Sequence, residues 1–342
     1  MYKTILAPFL LIIFFISCFP ESKSEFIKPN RLEVGDTIAF CAPSGLLDST
    51  RMSLAKKRLT EKGFHVVHDE SLFRNWGYLA GKDQTRANEL MKYFNDKSVK
   101  AIFPGTGGYG ATRILSLLNY NIIKENPKIF IGFSDITALH IAMNNHSNLV
   151  TFHTPNPMYG IGSKNGLEPI SELYFWSLLM NSEDSYEIPF DIYGDSLMIK
   201  VLVPGVSSGV LVGGNLSLIC STMGSEYEID TENKILFIED VGESPYRVDR
   251  YLQELKLAGK FNELKGVIIG RFSRRDSEVP DKLSDFKMEE VFDQYFSNFN
   301  VPIIYDFPSG HGAKNISIPL GVIAEINTED KIFRLLENPL KN

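Results

Sequence analysis

From residue 30 onward, apolar and polar positions alternate with two distinct periods. "DTIAFCAPSG", "FHVVHDE" and "VKAIFPG" are short apolar runs that close on Gly, Pro or acidic residues, and they read as strands. Between them, "STRMSLAKKRLTEKG" carries apolar residues at helical spacing and closes on Gly63, and "KDQTRANELMKYFND" is a second helix. A helix from about Ala111 to Leu118, the strand "KIFIGFSD" and the helix "ITALHIAMNNH" continue the series. Strands alternating with helices predict a parallel sheet, so residues 31–180 are expected to form a doubly wound α/β domain.

The pattern breaks in "MNSEDSYEIPFDIYGDS", and residues 181–200 read as an inter-domain linker. Beyond it, "GVLVGGNLSLI", "KILFIED", "LKGVIIG", "PIIYDFPSG" and "IAEI" are short strands with fewer helices between them. The best-marked helix is "SPYRVDRYLQELKLAG": Ser244 suits an N-cap, Pro245 the first turn and Gly259 the stop. Val248, Tyr251, Leu252 and Leu255 form its apolar stripe. Residues 201–337 are therefore expected to form a smaller, mixed α/β C-terminal domain.

The N-terminus departs from both periods. Lys3 precedes an apolar run from Pro8 to Phe19 broken only by Ser17. That is short for a membrane span of roughly 20 residues and fits the apolar region of a secretory signal. Its close, "FISC", resembles a relaxed bacterial lipobox with Cys18 as the acylated residue. Residues 1–19 are read as a signal or lipoprotein segment and 20–30 as a polar tether. The expected protein is exported and held at the membrane through its N-terminal lipid or anchor. Cys41 and Cys220 each end an apolar run and read as buried thiols; no cysteine spacing suits a zinc site. The 342 residues are 44% apolar and 23% charged with a net charge of −7. No Lys/Arg cluster is present to release phosphate counterions, which argues against a nucleic-acid partner.

Candidate chemistry starts at "FPGTGGYGATRIL", where Gly105, Gly107 and Gly110 have the spacing of a dinucleotide-binding turn. Asp135 stands roughly where the ribose-binding acid would be. Against that reading, the glycines follow the third strand, not the first. "GFSD" then places Ser134 on a sharp strand-to-helix turn, the logic of a serine nucleophile elbow, although Ile136 replaces the last glycine of that motif. A serine there is also a ready helix N-cap. It becomes a nucleophile only with a base and an acid.

"GFSDITALH", "GGNLSLI", "ILFIEDVGESPYRVDRYLQEL" and "SGHGAKNISIPLG" occur in that order. Together they resemble the LD-carboxypeptidases, the muramoyl-tetrapeptide carboxypeptidase family of serine peptidases that includes the microcin C immunity peptidases. The resemblance runs from about Leu32 to Leu335. It implies Ser134 as nucleophile, Glu239 as the acid and His311 as the base. It implies an oxyanion hole from the amides of Gly107 or Gly108 and Asp135, and a substrate cleft near His153 and Asn215. Asp240 and Glu243 adjoin Glu239, but alternation along the strand should turn Asp240 away. The chain carries Thr106 where many relatives have Arg. The implied activity is release of terminal D-alanine from a murein tetrapeptide, with no metal or other cofactor, by a protein whose relatives are commonly homodimers. A detoxifying peptidase of peptide–nucleotide antibiotics and a non-catalytic murein-peptide-binding lipoprotein are the alternatives.

Overall fold

The computed structural model describes residues 26–180, 185–194, 198–273 and 286–341. Cys18 and the apolar leader lie outside the described residues. The strands are β1 (Thr37–Cys41), β2 (His65–His68), β3 (Val99–Pro104), β4 (Ile129–Gly132), β5 (Thr151–His153), β6 (Glu187–Pro189), β7 (Lys200–Val203), β8 (Val206–Asn215), β9 (Lys234–Val241), β10 (Gly266–Ser273), β11 (Ile303–Tyr305), β12 (Ile318–Leu320), β13 (Val322–Asn327) and β14 (Ile332–Leu335). The helices are α1 (Ser49–Glu61), α2 (Asp83–Asn95), α3 (Tyr120–Glu125), α4 (Thr137–Ser147), α5 (Pro169–Met180), α6 (Leu216–Ser221), α7 (Pro245–Leu257) and α8 (Met288–Phe296).

The first sheet runs β12-β5-β4-β3-β1-β2, parallel except for β12 at its edge. β3 and β4 are buried along nearly their whole length, which is why they read as apolar runs, interrupted in β3 only by the exposed Lys100. One face, with Ala39, Ile102 and Phe130, packs on α2, α3 and α4; the other carries α1 and α5. The order 2-1-3-4-5 reverses between β1 and β3, and ligands bind such sheets outside the carboxyl ends at that reversal.

The second sheet runs β6-β14-β13-β8-β9-β10-β11-β7, with a parallel centre from β8 to β11 and antiparallel flanks. Val212, Leu236, Ile238, Val267 and Ile269 pack its outer face on α6, α7 and α8. Val248, Leu252 and Leu255 of α7 are fully buried there, worth about 1.5–3 kcal/mol each. Ser244 holds the N-cap position of α7 in extended backbone, yet its hydroxyl makes no capping bond.

The two units share one core. Phe40, Phe103, Ile131 and Phe152 of the first sheet join Leu211, Phe237, Ile268 and Ile304 of the second in a single apolar cluster. Two segments also cross over. β6 lies inside the expected linker yet pairs with β14. β12, from the C-terminal half, pairs with β5. The second unit has fewer residues but the larger sheet, eight strands against six.

Candidate active site

Both sheets end on one cleft of about 1760 Å³. Gly45 reaches it from the turn after β1, Gly107 and Gly108 from the turn after β3, and Phe133 and Ser134 from the turn after β4. On the opposite wall, Asn215, Asp240 and Ser273 close strands β8, β9 and β10, and His311 lies on the loop after β11. The carboxyl edges of two parallel arrays thus face each other.

Ser134 has φ +64, a left-handed conformation that costs a non-glycine residue about 1–3 kcal/mol. Phe133 before it is extended, and a single 3₁₀ turn, Ser134–Ile136, leads into α4. The turn is held from below. His140 on α4 is wholly buried and donates Nε2–H to the Gly132 carbonyl at 3.0 Å. Burial lowers its pKa to about 4, so the ring is neutral. That contact had no sequence signal, because six residues along a helix suggests a different side.

The glycine turn packs directly on Ser134. A Cβ on Gly107 would stand 2.8 Å from Ser134 Cβ and 3.1 Å from the Asp135 amide nitrogen. Gly108 takes φ +101, which suits glycine. These positions account for two glycines without a phosphate. The element that follows, Ala111–Leu117, is 3₁₀ rather than α. Its first amide, Ala111 N–H, already donates to the Asp135 carboxylate, which is buried and also accepts from Ser44 Oγ. The dinucleotide reading fails on both counts.

Glu239 is fully buried, and its Oε2 accepts from His311 Nδ1–H at 2.7 Å and from the His311 backbone N–H at 3.1 Å. His311 is also held through its carbonyl, which accepts from Ser273 Oγ at 2.8 Å, and its ring lies 4.8 Å from that of Phe133. The approach requires Gly310: a Cβ there would meet Glu239 Oε2 at 2.5 Å. Fixing Nδ1 as the donor leaves Nε2 as the ring's acceptor.

Asp240 points, as alternation requires, to the other face, where α6 begins; its Oδ2 accepts from Ser217 N–H at 2.9 Å. It still belongs to the cleft. Asn215 Nδ2 donates to Asp240 Oδ1 at 2.9 Å and lies 3.4 Å from Glu239 Oε1, spanning the strand edge between the two acids. Burial, then the Glu239 charge, raises the Asp240 pKa to about 6. The folded protein therefore keeps this proton at pH values where the unfolded chain, near 3.9, has released it. Stability from this group should fall as pH rises from about 4 to about 6 and then level off. Relative to Asp240→Asn, the wild type should lose on the order of 2–3 kcal/mol across that window. Denaturant melts of both proteins at stepped pH check this; a pH-independent difference would contradict it.

His153 is not a cleft residue. It is fully buried between the rings of Phe133 and Phe237, and neither ring nitrogen makes a hydrogen bond. Burial holds its pKa well below the usual histidine range. Arg113 is committed elsewhere, in a two-pronged pair with Asp83 at 2.9–3.1 Å. Cys41 and Cys220 are free and buried. Among the described residues no three His, Cys, Asp or Glu side chains group to hold a metal ion, and no helix is long and apolar enough to cross a membrane.

Comparison with known proteins places this geometry. Residues 38–154 match the LD-carboxypeptidase N-terminal domain and residues 208–326 the LD-carboxypeptidase C-terminal domain. A probable murein peptide carboxypeptidase of Bacillus subtilis is 37% identical over 305 residues, covering 89% of this chain and 92% of the relative. The murein tetrapeptide carboxypeptidase of Pseudomonas aeruginosa is 29% identical over 84% of this chain and 92% of its own length. The solved apo structure of the microcin C7 self-immunity protein superposes with a TM-score of 0.83 at 25% identity, covering 92% of this chain and all, 100%, of that one.

Proposed function

The chain belongs to the LD-carboxypeptidase family, and on that premise we propose that it is a serine-type carboxypeptidase releasing terminal D-alanine from murein tetrapeptides. The observation that carries the reading is the buried 2.7 Å contact between Glu239 and His311, on the cleft that Ser134 enters from the opposite wall. Glu239 orients the imidazole and stabilises its charged form. His311 Nε2 takes the Ser134 hydroxyl proton as Oγ attacks the carbonyl carbon of the penultimate, L-configured residue. The amides of Asp135 and of Gly107 or Gly108 receive the developing oxyanion. The C–N bond breaks as His311 passes its proton to the leaving amine of D-alanine. Water then adds to the acyl-enzyme by the reverse proton path, regenerating Ser134.

The test incubates the full-length protein with murein tri-, tetra- and pentapeptides and follows D-alanine by mass spectrometry. Release from the tetrapeptide alone supports the reading. The microcin-immunity alternative is a second arm of the same assay, since a solved complex of that relative holds aspartyl sulfamoyl adenosine. Cleavage of that compound with the tetrapeptide left intact would sink the murein assignment.

The apolar leader ending in "FISC" supports export and acylation at Cys18. In a lipoprotein-processing host, Cys18→Ser should lose radiolabelled fatty acid and leave the membrane fraction. Unchanged labelling would overturn the lipid anchor. A homodimer belongs to the same reading, and sedimentation of the soluble chain decides it.

A further inference from the structure

The side chain of Asp135 has no part in the steps above, yet it is 1% exposed and lies directly behind the proposed nucleophile. Its Oδ2 accepts from Ser44 Oγ at 2.6 Å and from the Ala111 amide at 2.8 Å. Those donors sit on two different loops, one after β1 and one after β3. Arg86, fully buried on α2, reaches the same two loops. Its guanidinium donates to the Gly110 carbonyl at 2.8 Å, to the Pro43 carbonyl, and to the Gly81 carbonyl at 3.1 Å.

One peptide group therefore lies between two buried polar side chains. The Gly110 carbonyl faces the Arg86 guanidinium, and the N–H of the same Gly110–Ala111 unit faces the Asp135 carboxyl group. A trans peptide points these groups in opposite directions, so gripping both ends fixes the plane. The loop after β1 is tied to the same two side chains, through the Pro43 carbonyl to Arg86 and through the Ser44 hydroxyl to Asp135. A third bond, Gly45 N–H to the Gly107 carbonyl at 3.0 Å, ties the loops together and sets the direction of the adjoining Gly108 N–H. Hydrogen bonds donated by a charged guanidinium are shorter and more directional than neutral ones, which suits a turn with glycine at positions 105, 107, 108 and 110.

We propose that Asp135 and Arg86 form a buried positioning pair that holds the 105–111 glycine turn in the geometry that receives the oxyanion. Asp135 then serves twice: its main-chain amide is one oxyanion donor and its carboxylate fixes the loop that carries the other. The inference rests on the serine-peptidase reading but not on the identity of the peptide. Arg86→Met would strand three buried carbonyls, so the test is placed on Asp135 and Ser44.

The full-length protein and its Asp135→Ala, Asp135→Asn and Ser44→Ala variants are compared in three measurements. These are kcat and KM for D-alanine release, the rate of Ser134 phosphonylation by a fluorophosphonate, and thermal melting. Asp135→Ala should lower kcat and phosphonylation by about 100-fold, the effect of losing one oxyanion donor, with KM little changed. Asp135→Asn keeps an acceptor oxygen for both bonds and should restore most of that loss. Ser44→Ala should lower both rates by about 5–10-fold and add nothing to Asp135→Ala, because the two act through one carboxylate. Wild-type phosphonylation in Asp135→Ala, or a loss confined to KM, overturns the proposal. If Asp135→Ala does not fold, Ser44→Ala decides, and unchanged phosphonylation there overturns it. A wild type that is phosphonylated but spares the tetrapeptide refutes the substrate reading alone. A wild type that is not phosphonylated refutes both.

Discussion

Ser134→Gly and Ser134→Ala should both abolish turnover, and the glycine variant should be the more stable of the two. Each removes the hydroxyl, so D-alanine release should fall by about 10⁴–10⁶-fold, as when the serine of a hydrolytic triad is deleted. Their difference in stability has another source. Residue 134 sits at φ +64 at the end of a strand whose preceding residue is extended. Alanine inherits that strain, while glycine occupies the left-handed region freely. The gap should be about 1 kcal/mol, or roughly 1–3 °C in melting temperature for a chain of this size. Strain at this position would then be a standing cost of projecting the hydroxyl into the cleft. Equal melting temperatures for the two variants would show that the backbone relaxes around alanine, and residual activity above about 1% would argue against Ser134 as the nucleophile.

The parallel first sheet was legible because β3 and β4, covered on both faces, leave short, nearly continuous apolar runs between amphipathic helices. The helix Pro169–Met180 was not read from sequence. "PISELYFWSLLM" is apolar on nearly every side and buries Phe175, Leu178 and Leu179, so it shows no clean periodicity. β6 and β12 escaped for a different reason. Each is three residues long, and each pairs with a strand that no local pattern can identify. Ser134, Glu239 and His311 were singled out by motif order, not by spacing; the structure puts all three at the carboxyl edges of two sheets. The supporting residues were invisible. Arg86 reads as a surface charge on an amphipathic helix, yet it is fully buried because three backbone carbonyls and Asp83 surround its guanidinium. His153 shows the opposite error: a histidine in a motif-like stretch that packs as a neutral core ring.

Glu239→Gln should leave the fold intact and lower kcat by about 10³–10⁴-fold, the size of effect seen when the acid of a serine triad becomes an amide. The amide has two orientations, and each meets an obstacle. With its oxygen toward His311, it can still accept from Nδ1–H and the backbone N–H. Its NH₂ then faces Asn215 Nδ2, itself fixed as a donor because Asn215 Oδ1 accepts from Leu218 N–H and Ser217 Oγ. Two donors would oppose each other in a fully buried site, and the negative charge that stabilises the imidazolium would be gone. In the other orientation, the NH₂ opposes the His311 backbone N–H, and Nδ1 must become the acceptor. The ring proton then sits on Nε2, which can no longer take the serine proton. KM should change little, because Glu239 is buried beneath the cleft and reaches the substrate only through His311. A second readout separates this from simple damage. Glu239 is one of the causes that raise the Asp240 pKa, so the amide should lower it toward the ordinary carboxylate range. The fall in stability between about pH 4 and pH 6 should therefore shrink in Glu239→Gln relative to wild type. Stopped-assay kinetics and pH-stepped denaturation on one preparation give both numbers. A variant that keeps more than about a tenth of wild-type kcat would remove Glu239 from the catalytic set, whatever its stability profile.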